Sequence, residues 1–303
     1  MSVPWSAGFD IGGASVKCGA LLTGAPPAPS RSIPTQATQG PEALVSRIAA
    51  SLRAETEKRG AAPLAIGVGC AGLIDPARGV VVTSPNLPGW EGTELRGRLE
   101  NAVGRSITLV NDANAFVLAE SRVGAARGRQ TVCGLAIGTG VGGGFVADGT
   151  LWLGAHGFAG EFGHWPFALD GPRCACGQIG CLEAFIGTPA IVGAYLAASD
   201  EVATPEEIAR RAGGGDAMAL AVFAELGRIL GTALAGLTAL FDPEIFVVGG
   251  GVAQAEAYFL PQARAALRAR ALAPPDALPD LVAAALGPDA GWIGAALLAE
   301  DRG

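Results

Sequence analysis

Charge is sparse in this chain and of mainly one sign: 16% of the 303 residues are charged, the net charge is −7 and the pI is near 5.0. Binding nucleic-acid phosphates needs a basic field, so no nucleic-acid partner is expected. Long hydrophobic runs are missing as well. The best charge-free run not dominated by glycine, Ile229–Phe241, spans 13 residues, which suits a buried core helix and falls short of a membrane span. The mean hydropathy of +0.38 therefore reads as a large core, and no membrane partner is expected. Met1-Ser-Val-Pro-Trp-Ser6 lacks a basic stretch followed by an apolar one, so no secretory signal is expected and the setting is taken as cytoplasmic with reduced thiols. Two nucleotide fingerprints are absent. Neither Gly-x4-Gly-Lys-Ser/Thr nor Gly-x-Gly-x-x-Gly follows the first strand, and Gly67-x-Gly69-x-x-Gly72 lacks the acidic residue expected on a following strand.

Glycine is the excess, with 46 copies and no G-X-Y period. That is about twice the usual share of ~7%, and the surplus is expected in turns and ligand-binding loops. The length exceeds one compact domain, so two are expected. Ala7–Leu22 reads as strand, glycine turn and strand around Gly12 and Gly13. Pro41–Arg59 has the apolar period of a helix, with Gly60 as its stop. Leu64–Gly69 and Ile107–Val110 read as strands, and the second ends at Asn111-Asp112, where a helix running to about Ala126 begins. Laying Gly8–Ala20 over Gly134–Val146 repeats the opening pattern, with Thr139, Gly140 and Gly142 in the second turn and Asp148-Gly149 as a hairpin turn. A helix from about Ala217 to Leu240, a strand Ile245–Val248, a helix opened by Gly249-Gly250-Gly251 and a last helix near Gly291–Ala299 follow. The pattern is a duplicated α/β architecture with a cleft between its halves. The last helix is expected to return to the first domain, giving domains of 1–115 plus 288–303, and 116–287.

The chain has only two histidines and six cysteines, and four of these eight residues cluster in one segment. His164, Cys174, Cys176 and Cys181 fall within 18 residues, and Gly177 and Gly180 can bend the chain so that three sulfurs converge. One imidazole and three thiolates suit tetrahedral Zn²⁺, and four protein ligands make it structural. The chemistry then belongs to neighbouring carboxylates. Glu161 lies three residues before the first ligand and Glu183 two after the last. Losing the metal is expected to disturb what these two carboxylates bind.

Paired glycine turns suit a nucleotide triphosphate, since backbone N–H groups approach phosphates only where side chains are absent. Asp112, at a strand's carboxyl end, reads either as the N-cap of the next helix or as a general base taking a hydroxyl proton during phosphoryl transfer. Asp10 reads as a turn residue or as a group orienting Mg²⁺ through water. Asn86, Asn111, Asp112, Glu161 and Glu183 offer the planar donors and acceptors that vicinal sugar hydroxyls require. His156 reads as a loop histidine.

Asp10-Ile-Gly-Gly13, Leu109-Val-Asn-Asp-Ala-Asn114, Ile137-Gly-Thr-Gly-Val-Gly-Gly-Gly144, Gly160-Glu-Phe-Gly-His164, Cys174-x-Cys176-Gly-x-x-Gly-Cys181-x-Glu183 and Asp242-Pro-Glu through Gly251 together resemble the ROK family of bacterial sugar kinases and repressors, over nearly the whole chain. The resemblance implies an actin-like, hexokinase-type (ribonuclease H-like) duplicated two-domain fold. It implies ATP with Mg²⁺ held at Asp10, Gly12, Gly13, Thr139, Gly140, Gly142 and Gly249–Gly251, and structural Zn²⁺ on His164, Cys174, Cys176 and Cys181. It further implies Asp112 as base and sugar contacts from Asn86, Asn111, Asp112, Glu161, His164 and Glu183, with a homodimer common among relatives. The expected reaction is phosphorylation of an aldohexose 6-hydroxyl, glucose first, with GlcNAc, ManNAc or fructose as alternatives. Repressors of this family carry a helix-turn-helix domain ahead of the kinase-like part, for which the residues before Asp10 leave no room. Ala14 stands where the family has threonine. That motivates a third reading, an inactive sugar sensor, although Ser15 or Thr139 could supply the missing hydroxyl.

Overall fold

The computed structural model describes residues 3–302. Its first half runs β1 (Trp5–Ile11), β2 (Ser15–Leu22), β3 (Arg31–Pro34), α1 (Pro41–Arg59), β4 (Ile66–Cys70), β5 (Leu73–Asp75), β6 (Val80–Thr83), α2 (Leu95–Val103), β7 (Thr108–Asn111) and α3 (Asp112–Val123). The second runs β8 (Val132–Ile137), β9 (Val141–Ala147), β10 (Thr150–Leu151), α4 (Glu183–Ile186), α5 (Thr188–Ser199), α6 (Pro205–Gly213), α7 (Ala217–Phe241), β11 (Ile245–Gly249), α8 (Glu256–Arg270), β12 (Asp280–Ala283) and α9 (Ala290–Arg302). α1 has the bounds its periodicity predicts. Proline at its first turn is preset for helix, and Gly60 closes it at φ 66°, where a Cβ would be strained.

The duplication is visible in the sheets. Their orders are β3-β2-β1-β4-β7 and β10-β9-β8-β11-β12. In each, the first strand pairs antiparallel with its hairpin partner and parallel with a strand reached through helices. Asp148 (φ 50°) and Gly149 (φ 69°) both adopt positive φ, as a tight two-residue hairpin turn demands.

The chain forms two compact units. One extends to Gly124 and takes in Thr150–Gly160 and the chain from Leu286 onward; the other holds Ala125–Gly149 and Glu161–Ala285. The sequence border at 115/116 falls inside α3, which stays whole in the first unit because it packs along α9. α9 also lies on β1 and β4, so the expected return of the last helix is observed. Each unit has its own core, around Trp5, Ile48 and Trp90 in one and Phe223, Leu230 and Phe246 in the other.

Glycine works differently from the expectation. Besides the turns, it lets elements meet backbone to backbone. A Cβ on Gly8 or Gly67 would overlap the carbonyls of Trp292 or Ala295 in α9, and one on Gly227 or Gly231 of α7 would overlap those of Phe259 or Ala263 in α8. Close-packed interiors leave no slack for such atoms. α7 is long and apolar enough to cross a membrane by length and composition. It instead packs against α5, α6 and α8, with Phe223, Leu226, Leu230 and Leu234 buried.

Candidate active site and metal centre

In the first unit, parallel pairing aligns the carboxyl ends of β1, β4 and β7. Asp10 lies near the end of β1, and Asp112 opens α3 directly after β7. Gly69 of β4 sits between them: a Cβ there would lie 3.5 Å from Asp10 Oδ1 and 3.6 Å from Asp112 Cα. The helix cap is Asn111, whose Oδ1 accepts the Asn114 N–H at 3.0 Å. This corrects the alternative that Asp112 serves as the cap. Asn111 Nδ2 donates to the Gly72 carbonyl at 2.9 Å and to Asp112 Oδ1 at 3.2 Å, so its amide is committed to the local framework. Asp112 Oδ1 also accepts the Ala113 N–H at 2.9 Å.

The two carboxylates oppose each other electrostatically. Burial, reinforced by the Asp112 charge and opposed by Lys17, pushes the Asp10 carboxyl up to about 8. Burial likewise raises Asp112, against the pull of backbone N–H groups. The neighbouring Cys70 thiol is driven well above its ordinary value, by burial first and then by both aspartates. Asp10 Oδ1 is buried without a hydrogen-bond partner. Such an orphaned acceptor fits a bound cation or the water it carries.

A pH dependence follows for the protein free of nucleotide and Mg²⁺. The folded pKa of Asp10 lies above its unfolded value of 3.8, so the folded state gains stability below about pH 4 and loses it as pH rises toward 8. At about 1.4 kcal/mol per pKa unit, discounted for solvent at this strand end, the loss is on the order of a few kcal/mol. Chemical denaturation should give an Asp10→Asn variant more stable than the parent at pH 8.5, with the difference shrinking toward pH 4.5. An equal difference at both pH values would contradict the repulsion.

The first glycine turn closes through the Gly12 N–H on the Ser15 carbonyl at 3.1 Å. Asn86 lies against it, a Cβ on Gly13 falling 3.1 Å from the Asn86 carbonyl oxygen. Sequence reasoning missed Thr35 here. Fully buried, it donates its hydroxyl to the Gly12 carbonyl at 2.6 Å and its N–H to the Ala14 carbonyl at 3.1 Å, while Arg47 holds its own carbonyl at 2.6 Å. The hydroxyl bracing this turn thus comes from the residue that follows β3, a position with no local signal.

In the second unit the corresponding turn, with Thr139 and Gly140, closes through the Gly138 N–H on the Gly140 carbonyl at 2.8 Å, and Gly142 follows in β9. At the end of β11, Gly249-Gly250-Gly251 leads into a short 3-10 turn before α8. Gly250 has φ 85°, and a Cβ would collide with Ile137. Gly251, Val252 and Ala255 line a cavity of about 270 Å³ together with Ile191, Ala209 and Phe223.

The ligand atoms of His164, Cys174, Cys176 and Cys181 all lie within 4.8 Å of one another. Cys176 Sγ and Cys181 Sγ are 3.7 Å apart, and Cys174 Sγ is 3.6 Å from His164 Nδ1. Zn–S bonds of about 2.3 Å and Zn–N bonds of about 2.0 Å in a tetrahedron give edges of roughly 3.8 and 3.5 Å, so the donor set and these two separations fit zinc. Gly177 (φ 92°) and Gly180 (φ 78°) make the bends, and a Cβ on Gly180 would collide with the Ala168 carbonyl. His164 ends a 3-10 turn, Phe162–His164, whose N-cap is Glu161. Glu183 Oε1 accepts from Cys174 Sγ at 3.1 Å and Oε2 from the Val141 N–H at 2.9 Å. His156 is exposed in the Thr150–Gly160 segment of the first unit.

A repeated sheet of this order, with a glycine turn in each copy and acidic groups at the carboxyl ends of parallel strands, defines an actin-like ATPase fold. The chain belongs to the ROK family: the ROK family model matches residues 6–302. A glucokinase of Thermotoga maritima is 33% identical, covering 97% of each chain. An N-acetyl-D-glucosamine kinase of Pectobacterium atrosepticum is also 33% identical, over 96% of this chain and 97% of that protein. The crystal structure of a ROK family glucokinase from Streptomyces griseus in complex with glucose and AMPPNP superposes with a TM-score of 0.82 at 33% identity, covering 98% of this chain and 99% of the other.

Proposed function

We propose that this protein is an ATP-dependent hexose kinase that transfers the γ-phosphoryl group to the 6-hydroxyl of a free aldohexose, with glucose as the first substrate to try. The observation that carries the reading is the carboxylate pair across Gly69, in which Asp112 is free of the capping duty that Asn111 performs. A carboxylate raised by burial is a better base near neutral pH than an ordinary aspartate. Asp112 accepts the hydroxyl proton as the oxygen attacks phosphorus. Asp10, with its unpartnered oxygen, would hold Mg²⁺ through water, and Mg²⁺ when bound neutralises charge on the phosphates.

Each glycine turn offers backbone N–H groups of the kind phosphates need, and the cavity beside Gly251 has room for a nucleoside. Asn86, Asn111, Glu161, His164 and Glu183 would serve sugar hydroxyls, with structural Zn²⁺ on His164 and the three cysteines. Thr35 braces the backbone of the first turn from behind, so the turn keeps its shape with alanine at position 14, which favours an active enzyme over a sensor. The equal identity to an N-acetyl-D-glucosamine kinase makes GlcNAc the second substrate to weigh. A coupled ADP-release assay over glucose, mannose, fructose, allose, GlcNAc and ManNAc, with ATP or polyphosphate as donor, should show glucose highest. Flat release across the panel from zinc-replete protein would favour the sensor.

A further inference from the structure

We infer that Glu183 is a positioning residue that fastens the second glycine turn to the Cys/His loop, so that the metal centre sets the phosphate-facing turn as well as the sugar carboxylates. What that turn binds rests on the kinase reading; the fastening itself does not.

Both ends of the Cys/His loop seat on one residue, Val141, the first of β9. At the loop's start, Gly163 lies between Glu161 and His164, and a Cβ there would overlap the Val141 carbonyl. At its end, Glu183 follows the last ligand, Cys181, by two residues and accepts the Val141 N–H at 2.9 Å. A carboxylate on a backbone N–H makes a stronger bond than a neutral acceptor does. Gly140 admits it: a Cβ at that position would lie 2.6 Å from Glu183 Oε2. The same segment grips the other end of the turn, where the Thr188 N–H donates to the Gly138 carbonyl at 2.8 Å. Gly187, beside it, comes so close that a Cβ would sit 3.2 Å from the Thr139 carbonyl oxygen. The turn from Gly138 to Val141 is therefore held at both ends by residues 183–188, which the buried Leu182 and Ile186 anchor in the core. A turn held in place before its ligand arrives loses less freedom on binding.

The test uses the full zinc-loaded chain and two readouts: amide hydrogen exchange across Gly138–Val141, and the Kd for AMPPNP without sugar. Glu183→Ala should speed exchange at Val141 at least tenfold and weaken AMPPNP roughly five- to tenfold, with zinc still at one per chain. Glu183→Gln keeps an oxygen acceptor and should fall close to the parent. Thr188→Pro removes the N–H that Gly138 accepts and sets a ring carbon against that carbonyl, so it breaks this grip on the turn. Proline is tolerated at the first position of α5, and Gly187 before it is already extended at φ −67°, ψ 164°. This variant should loosen the turn without touching a carboxylate, and it decides the matter if Glu183→Ala fails to fold. Unchanged Val141 exchange with unchanged AMPPNP affinity would overturn the inference, as would a loss of sugar affinity alone. If no sugar is phosphorylated but Val141 exchange still responds, the kinase reading falls and the fastening stands.

Discussion

Asp112→Asn lowers kcat for hexose phosphorylation by roughly 10²–10⁴-fold and leaves hexose affinity within a few-fold of the parent. The range is that of a positioned general base, about 2.7–5.5 kcal/mol of barrier. Asparagine keeps the shape and the oxygen that accepts the Ala113 N–H at 2.9 Å, but it cannot take a proton. The helix should survive, because its cap is the side chain of Asn111. Loss of the charge also relieves Asp10, whose carboxyl the Asp112 charge helps to raise, so the variant should be at least as stable as the parent near pH 8. Slow turnover thus arises in a folded, sugar-binding protein, which isothermal titration alongside single-turnover kinetics will separate. Equal turnover in variant and parent would remove Asp112 from the base role.

Loss of the metal centre is the second large effect. Zinc should be present at one ion per chain by elemental analysis, and Cys176→Ser, Cys181→Ser or exhaustive chelation should remove it. Cys174 and Cys181 are buried while Cys176 and His164 are exposed, so the ion would sit at the surface end of the loop with two sulfurs rooted in the core. Without it the chain from Gly163 to Glu183 loses its main cross-link, and a few kcal/mol of stability should go with it. Sugar Kd should rise at least roughly tenfold, since misplacing Glu161, His164 and Glu183 forfeits hydrogen bonds worth about 0.5–1.5 kcal/mol each. AMPPNP Kd should rise less, by no more than roughly tenfold, through the Glu183 link to Val141. Nucleotide affinity falling further than sugar affinity would contradict this picture of the loop.

The residues that were legible in the sequence owe it to local chemistry. α1 announces itself through apolar period, a starting proline and Gly60. The convergence of His164, Cys174, Cys176 and Cys181 does so because cysteines and histidines are scarce and their spacing is short. The fold class was legible because the strand-turn-strand unit occurs twice. What stayed hidden depends on partners far along the chain. Asn111 rather than Asp112 caps α3, a distinction of one residue that propensity does not resolve. Thr35 reaches the first glycine turn across 23 residues, and Glu183 reaches Val141 across 42. The glycines at Gly8, Gly67, Gly227 and Gly231 look like any others until α9 and α8 are laid against them.

The most direct test of the account is the identity of the product. With glucose, Mg²⁺ and ATP, phosphorus NMR and mass spectrometry of the reaction should show glucose 6-phosphate accumulating one for one with ADP, and the signal should vanish in Asp112→Asn. Inorganic phosphate in place of a sugar ester, an ester at a position other than O6, or no ADP with any hexose in zinc-replete protein would contradict it.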